Sequence, residues 1–356
     1  KMRKFAIYLF MLTICAACKE RYELPHSGPP TGYLVIDGVI NSGVGPTTLR
    51  ISRTLALVDS VAFRHERGAN VRVEGDDNST QQLIEISDGV YHSDQLTLVD
   101  NVKYRLHINS EGGKEYISDY VPVLRTPPID AISWERPESG VEIFINTHDP
   151  QNKTLYYRWE YEETWQFHSA FYSNIIYERD FQGNPYDVDP RDAIESQQMF
   201  TCYSGGPSTS ILIGSSARLS RDTIHLPLLF IPKDSWKISV LYSIKVRQYA
   251  VSRAGYEFLQ RMKKNTEQVG SLFDAQPSEL VGNVKCTTDP NEPVIGFVDI
   301  ADAQEQRIFI RRAEVLPWNY LQGCEEYEVV NHPDSLALFA GHEPTLVAKT
   351  SPLGDT

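Results

Sequence analysis

The chain has 356 residues, of which 41% are hydrophobic and 23% charged, an ordinary globular composition that excludes wholesale disorder. Its formal net charge of −13 is opposite in sign to that of proteins that bind nucleic-acid phosphates, so no nucleic-acid partner is expected. The length favours two domains, and the many aromatic, glycine and proline residues favour a chain rich in strands and turns.

The N-terminus resembles an export signal. Three of the first four residues are positively charged, and residues 5–17 are almost entirely apolar. This apolar stretch is too short to span a bilayer, so residues 1–17 are predicted to be a signal peptide. Small residues lead directly into Cys18, as in a bacterial lipobox, although Cys15 stands where leucine is usual. We therefore predict lipidation at Cys18; the alternative is an ordinary secretory signal cut near Ala17.

Residues 18–30 are predicted to form the lipidated cysteine and a tether. The run 19–23 is charged and contains two glutamates. It resembles the surface-export signal of Bacteroidota lipoproteins, and a proline- and glycine-rich linker follows it. The predicted location is the outer membrane, with a lipid anchor and the protein on the cell surface; a plain solvated tether is the alternative. No later stretch is apolar and long enough to span a membrane.

Residues 31–126 are predicted to form an immunoglobulin-like or transthyretin-like β-sandwich. Short segments with alternating apolar and polar residues are separated by glycine, aspartate and asparagine, which is typical of strands joined by turns. The predicted strands are 33–36, 48–51, 70–73, 82–86 and 104–108.

Two successive prolines at 127–128 mark the predicted domain boundary. Residues 127–356 are predicted to form a larger β-rich domain with one clear helix over 252–269. Ser252 is suited to cap the start of that helix and Gly270 to end it. The predicted strands of this domain are 141–145, 155–162, 237–251, 294–300 and 307–311.

The second domain is unusually aromatic between residues 156 and 177. The alternating part up to Tyr161 is predicted to be core. Residues 166–206 are polar and rich in turn residues, and long loops in compact domains are often functional or mobile. Aromatic rings there could contact a glycan, a peptide or a partner protein; the alternative is core packing. The candidate surface consists of Trp165, Phe167, Phe171, Tyr172 and Tyr177.

Three cysteines remain after Cys18, namely Cys202, Cys286 and Cys324. In an oxidising envelope one disulfide is expected, and three pairings are possible. We favour Cys286–Cys324, which flank the predicted strands between them; three free thiols are the alternative.

Three triplets consist of aspartate, then serine or threonine, then an aliphatic residue. They resemble the O-glycosylation acceptor motif of exported Bacteroidota proteins. The candidate acceptors are Ser60, Thr223 and Ser335.

No constellation of catalytic residues is evident in the sequence. The nine histidines are scattered, and there is neither a nucleophile elbow nor a glycine-rich phosphate loop. Glu160, Glu162 and Glu163 lie near tryptophans, as in some glycosidases, but a solvated acidic strand face explains them equally well. We expect no catalytic residues, no metal and no cofactor.

Several segments together resemble a known family. They are 158–161, 242–249, 265–274, 276–278, 282–284, 289–296 and 307–310. The chain is similar to the Bacteroidota outer-membrane lipoproteins of unknown function numbered four-two-four-nine among domains of unknown function. The resemblance implies a lipoprotein often encoded beside a TonB-dependent transporter-like barrel, and it supplies no catalytic residues. The motif residues are expected to serve the fold, with turns at 282–283 and 289–290.

The sequence therefore indicates a non-enzymatic surface lipoprotein that is an accessory subunit of a TonB-dependent transporter-like barrel, in substrate capture or import. One alternative is a stand-alone surface glycan-binding protein or hydrolase. Another is a structural adaptor of an envelope assembly, which the sequence does not separate from the first hypothesis.

Overall fold

The computed structural model describes residues 32–54, 63–267, 280–320, 323–324, 328–339 and 345–346. The predicted signal peptide, Cys18, the tether, Ser60 and Gly270 lie outside the described residues. Within them the protein is mainly β, as predicted, with several sheets arranged around two large hydrophobic cores.

The first β-domain begins with ten strands before the proline pair. Each strand predicted there overlaps an observed one, because alternation of apolar and polar residues fixes which face turns inward. In the third strand, for example, Leu49 and Ile51 are buried while Arg50 is exposed. The strands are β1 (Leu34–Asp37), β2 (Ile40–Asn41), β3 (Thr47–Thr54), β4 (Phe63–His65), β5 (Asn70–Gly75), β6 (Thr80–Ser87), β7 (Val90–Ser93), β8 (Lys103–Asn109), β9 (Glu115–Ser118) and β10 (Val121–Leu124).

The second β-domain follows the proline pair and contains the predicted helix. Ser252 Oγ accepts a hydrogen bond from Gly255 N at 3.0 Å, which confirms Ser252 as the helix cap. The elements are β11 (Ile129–Glu135), β12 (Gly140–His148), β13 (Tyr156–His168), β14 (Ile175–Arg179), β15 (Pro185–Pro190), α1 (Ala193–Phe200), β16 (Thr201–Pro207), β17 (Leu212–Ser215), β18 (Thr223–Pro232), β19 (Leu241–Ala250) and α2 (Arg253–Glu267).

The second β-domain is a sandwich of two sheets. One sheet has the order β11–β12–β18. In the other sheet, β13 pairs with β19, β16 and β17, and β19 also pairs with the later strand β23 (Gln304–Arg311). Tyr157, Trp159 and Tyr161 project from one face of β13 into the core between the sheets, as predicted. The strand predicted over 237–251 starts later, at Leu241, because Ser235 caps a short 3₁₀ turn over Trp236–Ile238.

After α2 the chain returns to the first β-domain. The remaining elements are β20 (Val284–Cys286), β21 (Val294–Ile295), β22 (Ile300–Ala301), β23 (Gln304–Arg311) and α3 (Pro333–Ala337). Strand β20 pairs with β9, β21 lies parallel to β1, and β22 lies parallel to both β2 and β10. The prediction that residues 127–356 form one separate domain is therefore wrong for 284–301. Side chains of this segment, such as Val284 and Ile300, complete the core of the first β-domain. The order of elements along the chain does not reveal strand pairings between such distant segments.

A buried ionic cluster holds this return segment in place. Arg53 donates to Glu66 Oε2 at 2.6 Å and to Glu292 Oε1 at 2.9 Å. Tyr116 OH donates to Glu292 Oε1 at 2.7 Å, and Lys114 bonds the other carboxylate oxygen. Burial alone would raise the pKa of Glu292, but these hydrogen bonds hold it below its usual value. The carboxylate is therefore charged, and it ties β3 and β9 to the returning chain.

A side-chain amide and a close backbone contact join the residues before β20 to those after β21. Asn283 donates from Nδ2 to Val298 O at 2.9 Å and accepts at Oδ1 from Val298 N at 2.8 Å, as a neighbouring strand would. A Cβ atom at Gly282 would lie 1.7 Å from Gly296 O, so only glycine fits. Glu292 N donates to Asp289 O at 3.0 Å in the second expected turn. These motif residues serve the fold.

The buried side chain of Gln248 links the second core to the domain boundary. Its Oε1 accepts from Trp159 Nε1 at 2.7 Å, and its Nε2 donates to Pro127 O at 2.8 Å and Thr147 Oγ1 at 3.0 Å. Next to it, Ala250 N donates to Thr126 Oγ1 at 2.9 Å. An amide fully occupied in this way fixes the chain where it passes from one domain to the other.

Arg53→Met tests the ionic cluster. The variant leaves Glu66 and Glu292 buried without their common cation, so we expect the free energy of unfolding to fall by about 3–5 kcal/mol. Arg67→Met is the matched control, because Arg67 and Asp88 form an exposed pair, with exposed side-chain fractions of 63% and 58%; its effect should stay below about 1 kcal/mol. Equal losses in urea unfolding of the two variants would contradict the role of the cluster.

Asp299 makes the stability of the return segment depend on pH. It is 5% exposed, and burial raises its pKa from 3.8 to about 6. The folded state therefore holds its proton more tightly than the unfolded chain does. The resulting stabilisation is complete below about pH 4 and is lost as the pH rises through about 6.

Asp299→Asn removes this titration. Relative to the variant, the wild-type free energy of unfolding should fall by about 2–3 kcal/mol between pH 4 and pH 7. Denaturant unfolding of both proteins across this range measures the difference. A difference that does not change with pH would contradict the assignment to Asp299.

Candidate functional site

The candidate surface lies on a folded excursion, residues 169–200, which we call the arm. His168 of β13 pairs with Thr201 of β16, so the chain leaves and re-enters the sheet at adjacent positions. The expectation of a long loop over 166–206 is wrong, because the arm consists of the β14–β15 hairpin and α1. Asp180 accepts backbone hydrogen bonds in the hairpin turn, and Asp192 caps α1.

Stacked rings fix the base of the arm to the second β-domain. The ring of His168 stacks on Phe200 with centroids 4.3 Å apart, and Tyr172 contacts the same ring at 5.4 Å. Phe167, the residue before His168 on β13, packs edge-on against Trp236 with centroids 4.8 Å apart. Ring pairs of this kind stabilise by about 0.5–1.5 kcal/mol beyond the area that they bury. The arm therefore starts from a well-packed aromatic cluster.

The C-terminal segment braces the other side of the arm. Helix α3 packs against β15. Asn331 Nδ2 donates to Asp187 Oδ1 at 2.9 Å, and Ser173 Oγ donates to Leu346 O at 2.5 Å. These contacts hold the arm against a segment for which the sequence shows no clear periodicity.

The arm and the adjoining edge strand β16 carry a concentration of exposed apolar side chains. Their exposed fractions range from 36% for Phe171 to 95% for Phe181. Such clusters mark interaction surfaces more often than isolated exposed apolar residues do. The side chains are Phe171, Tyr172, Ile176, Phe181, Tyr186, Ile194, Met199 and Tyr203.

Only part of the predicted aromatic surface is available for contact. Trp165 is 7% exposed and belongs to the second core, and Phe167 packs against that core, so neither is a free surface ring. Phe171 and Tyr172 are exposed as predicted, and Tyr177 is half-buried. The exposed apolar residues of the hairpin and α1 were not predicted, because short turns and a weakly amphipathic helix give no periodic signal.

The three glutamates of β13 do not share one solvated face. Glu160 and Glu162 point outward, whereas Glu163 points into the core. There it accepts two hydrogen bonds from Lys237 Nζ, at 2.7 and 2.9 Å, and one from Tyr242 OH at 2.7 Å. Burial raises the pKa of Tyr242, so its hydroxyl remains a donor. The alternation of the strand separates Glu163 from its neighbours.

A second concave site lies between the two β-domains. It is a cleft of about 580 Å³, lined by β1 and β3 on one side, by β13 and β19 on its floor, and by α2. Charged pairs cover the floor: Arg158 Nη2 bonds Asp37 Oδ1 at 3.2 Å and Glu160 Oε1 at 2.7 Å. Lys245 and Glu162 form another pair at 3.0 Å. Clefts of this volume suit a small ligand.

The three cysteines among the described residues are free thiols, so the structure does not contain the favoured Cys286–Cys324 disulfide. Cys286 is buried in the core of the first β-domain, with its Sγ 3.4 Å from Thr288 Oγ1. Cys324 is exposed, and Cys202 is half-buried on β16. The return of 284–301 to the first β-domain, which the sequence analysis did not foresee, accounts for the burial of Cys286.

Two of the candidate O-glycosylation acceptors lie in the described residues. Thr223 is exposed at the start of β18, and Ser335 is half-buried in α3. In the triplet that contains Thr223, Asp222 is buried and accepts from Asp149 N at 2.7 Å and from Tyr157 OH at 2.5 Å. That aspartate therefore serves the fold, and modification at Thr223 and Ser335 stays a prediction.

Within the described ranges, no cluster of three or more histidine, cysteine, aspartate or glutamate side chains is arranged to hold a metal ion. Among the same residues, no helix has the length and apolarity needed to cross a membrane.

The chain matches the domain of unknown function DUF4249 over residues 19–307 and belongs to that family, as its motifs indicated. A comparison with curated proteins found no match. Among solved structures it is similar to a segment of two fibronectin type-III domains from chicken tenascin. The identity is 12%, the TM-score is 0.17, and the match covers 62% of this chain and 91% of that one.

Two further solved structures show comparable similarity. One is a putative carbohydrate binding protein from Bacteroides uniformis, with 8% identity, a TM-score of 0.14, and coverage of 64% of this chain and 92% of that one. The other is a chitinase from Bacillus thuringiensis, with 12% identity, a TM-score of 0.16, and coverage of 57% of this chain and 30% of that one.

Proposed function

We propose that this member of the DUF4249 family is a non-enzymatic lipoprotein of the outer-membrane surface. In this proposal it is an accessory subunit of a TonB-dependent transporter-like barrel, in substrate capture or import. The observation that carries the proposal is the set of eight exposed apolar side chains on the arm and β16. A surface of this kind favours a partner protein.

The anchor follows from the sequence. A lipid on Cys18 holds the mature chain at the membrane, and the tether through residue 30 separates the anchor from the first β-domain. One acyl chain gives only marginal membrane binding, whereas the several chains of a bacterial lipoprotein give a stable anchor. Such an anchor keeps the arm within reach of a barrel in the same membrane.

The chemistry of the arm indicates the character of the partner face. Burying one of its large apolar side chains completely would contribute about 1.5–3 kcal/mol. Residues 169–200 also contain six acidic and two basic side chains. A complementary face would therefore combine an apolar centre with a basic rim.

The glycan-binding alternative loses one of its supports. Trp165, the largest ring of the predicted surface, is core and cannot stack on a sugar. A structural adaptor would use the arm in the same way as a transporter subunit, so the identity of the partner separates those two hypotheses.

The test is affinity purification from native outer membranes with a C-terminal tag, which leaves Cys18 free for lipidation. We expect a transporter-like barrel in near-stoichiometric amount with the wild type. A variant with Phe181→Ser, Ile194→Ser and Tyr203→Ser should recover at least about tenfold less barrel, because it removes three highly exposed apolar contacts. Mass spectrometry of the eluate identifies and quantifies the partner.

Phe309→Ser is the matched control, since Phe309 is 53% exposed on β23, outside the arm. It should recover the barrel as the wild type does. A second control, Cys18→Ser, should shift the protein out of the membrane fraction. A wild-type eluate without a barrel would contradict the proposal, and equal recovery by the triple variant would remove the arm from it.

A further inference from the structure

The cleft between the β-domains has an unbalanced set of charges. Strands β13 and β19 pair in register there, with Glu160 opposite Arg247 and Glu162 opposite Lys245. Lys245 is bonded to Glu162, and Arg247 Nε donates to Glu305 Oε1 at 2.6 Å. The carboxylates on the floor of the cleft are thus already engaged by cations of the protein.

Arg50 is the exception. It lies on β3, is exposed, and lines the cleft beside Asp37, its neighbour across the β1–β3 pair. Its guanidinium has no hydrogen bond or ion pair with any residue that the structure describes. Arg158 on the floor uses only Nη2 for Asp37 and Glu160, so its other N–H groups have no acceptor in the described part of the chain. An arginine fork of this kind matches a carboxylate.

Apolar side chains also line the cleft. Leu259 and Met262 of α2 line it, together with Val39 of the first β-domain. Leu259 and Val39 are 6% and 8% exposed, whereas Met262 is half-buried. Methionine adapts its shape to apolar ligands easily. The cleft thus presents the guanidinium of Arg50, the remaining N–H groups of Arg158 and apolar side chains.

We propose that the cleft binds a small organic acid. Its carboxylate would bond Arg50 and the free N–H groups of Arg158, and its hydrocarbon part would lie against Met262 and Leu259. The carboxylates of the cleft do not repel such a ligand strongly, because Lys245 pairs with Glu162, Arg158 bonds both Asp37 and Glu160, and Arg50 lies beside Asp37. The ligand supplies a carboxylate for Arg50, which has none among the described residues. This site is separate from the arm and does not depend on a barrel partner.

The test is ligand-observed NMR with purified Cys18→Ser protein, which carries no lipid. The probes are hexanoate, phenylacetate and N-acetyl-leucine, each compared with its primary amide, together with inorganic phosphate. We expect the acids to bind and their amides to bind about tenfold to hundredfold more weakly, as loss of a charge-assisted hydrogen bond implies. Arg50→Ala should weaken the acids by a similar factor.

Arg64→Ala is the matched control, an exposed strand arginine of the same β-domain that lies outside the cleft; it should leave binding unchanged. Arg50→Lys should restore only part of the affinity, because lysine lacks the planar fork. Both arginines are exposed, so thermal unfolding midpoints should match the wild type. The proposal is overturned if no acid binds, if acids and amides bind equally, if phosphate alone binds, or if Arg50→Ala binds as the wild type does.

Discussion

The hydrogen-bonded carboxylate of Glu292 is the interaction on which completion of the first β-domain depends. A charge in this position is tolerated only because Arg53, Tyr116 and Lys114 bond it. The bonds to Glu292 fix the turn before β21 and so position the short strands that complete the first core. These strands come late in the chain, after most strands of the second core. The chain thus crosses between the β-domains more than once. Gln248 bonds the first crossing at Pro127, and Asp299 of the return segment accepts from Ser252 N, at the start of α2, at 3.2 Å. The two cores are therefore coupled through the covalent chain as well as through contacts.

Two candidate binding surfaces lie at different positions along strand β13. Strand β13 passes through the floor of the cleft at Arg158 and Glu160 and ends in the arm at His168. At about 3.3 Å per residue, eight residues of strand place Glu160 on the order of 25 Å from the base of the arm. A protein partner on the arm and a small acid in the cleft could therefore occupy the protein together. The same strand would join them mechanically, because its inward side chains are packed between the sheets.

Local patterns of the sequence predicted the local structure well. Alternation located most of the strands, and the cap at Ser252 located α2, because both depend on neighbouring residues. The return of 284–301 could not be predicted, since β20–β22 are two or three residues long and pair with strands far away in the chain. The predicted disulfide between Cys286 and Cys324 was wrong for the same reason. Aromatic content pointed to the region that carries the exposed apolar side chains, but Trp165 and Glu163 face inward. The cleft is formed by residues from five separate segments of the chain, which no local pattern connects.

The most direct test of the central claim is hydrogen–deuterium exchange of the arm. We propose that a partner in the outer membrane covers residues 169–203, which comprise the arm and the start of β16. The core strands should exchange at the same rate with and without the membrane. Exchange is compared between the lipidated protein in native outer-membrane vesicles and soluble Cys18→Ser protein. We expect slower exchange in peptides from 169–203 in the vesicles and unchanged exchange in β19. Equal exchange of the arm in the two samples would contradict the claim.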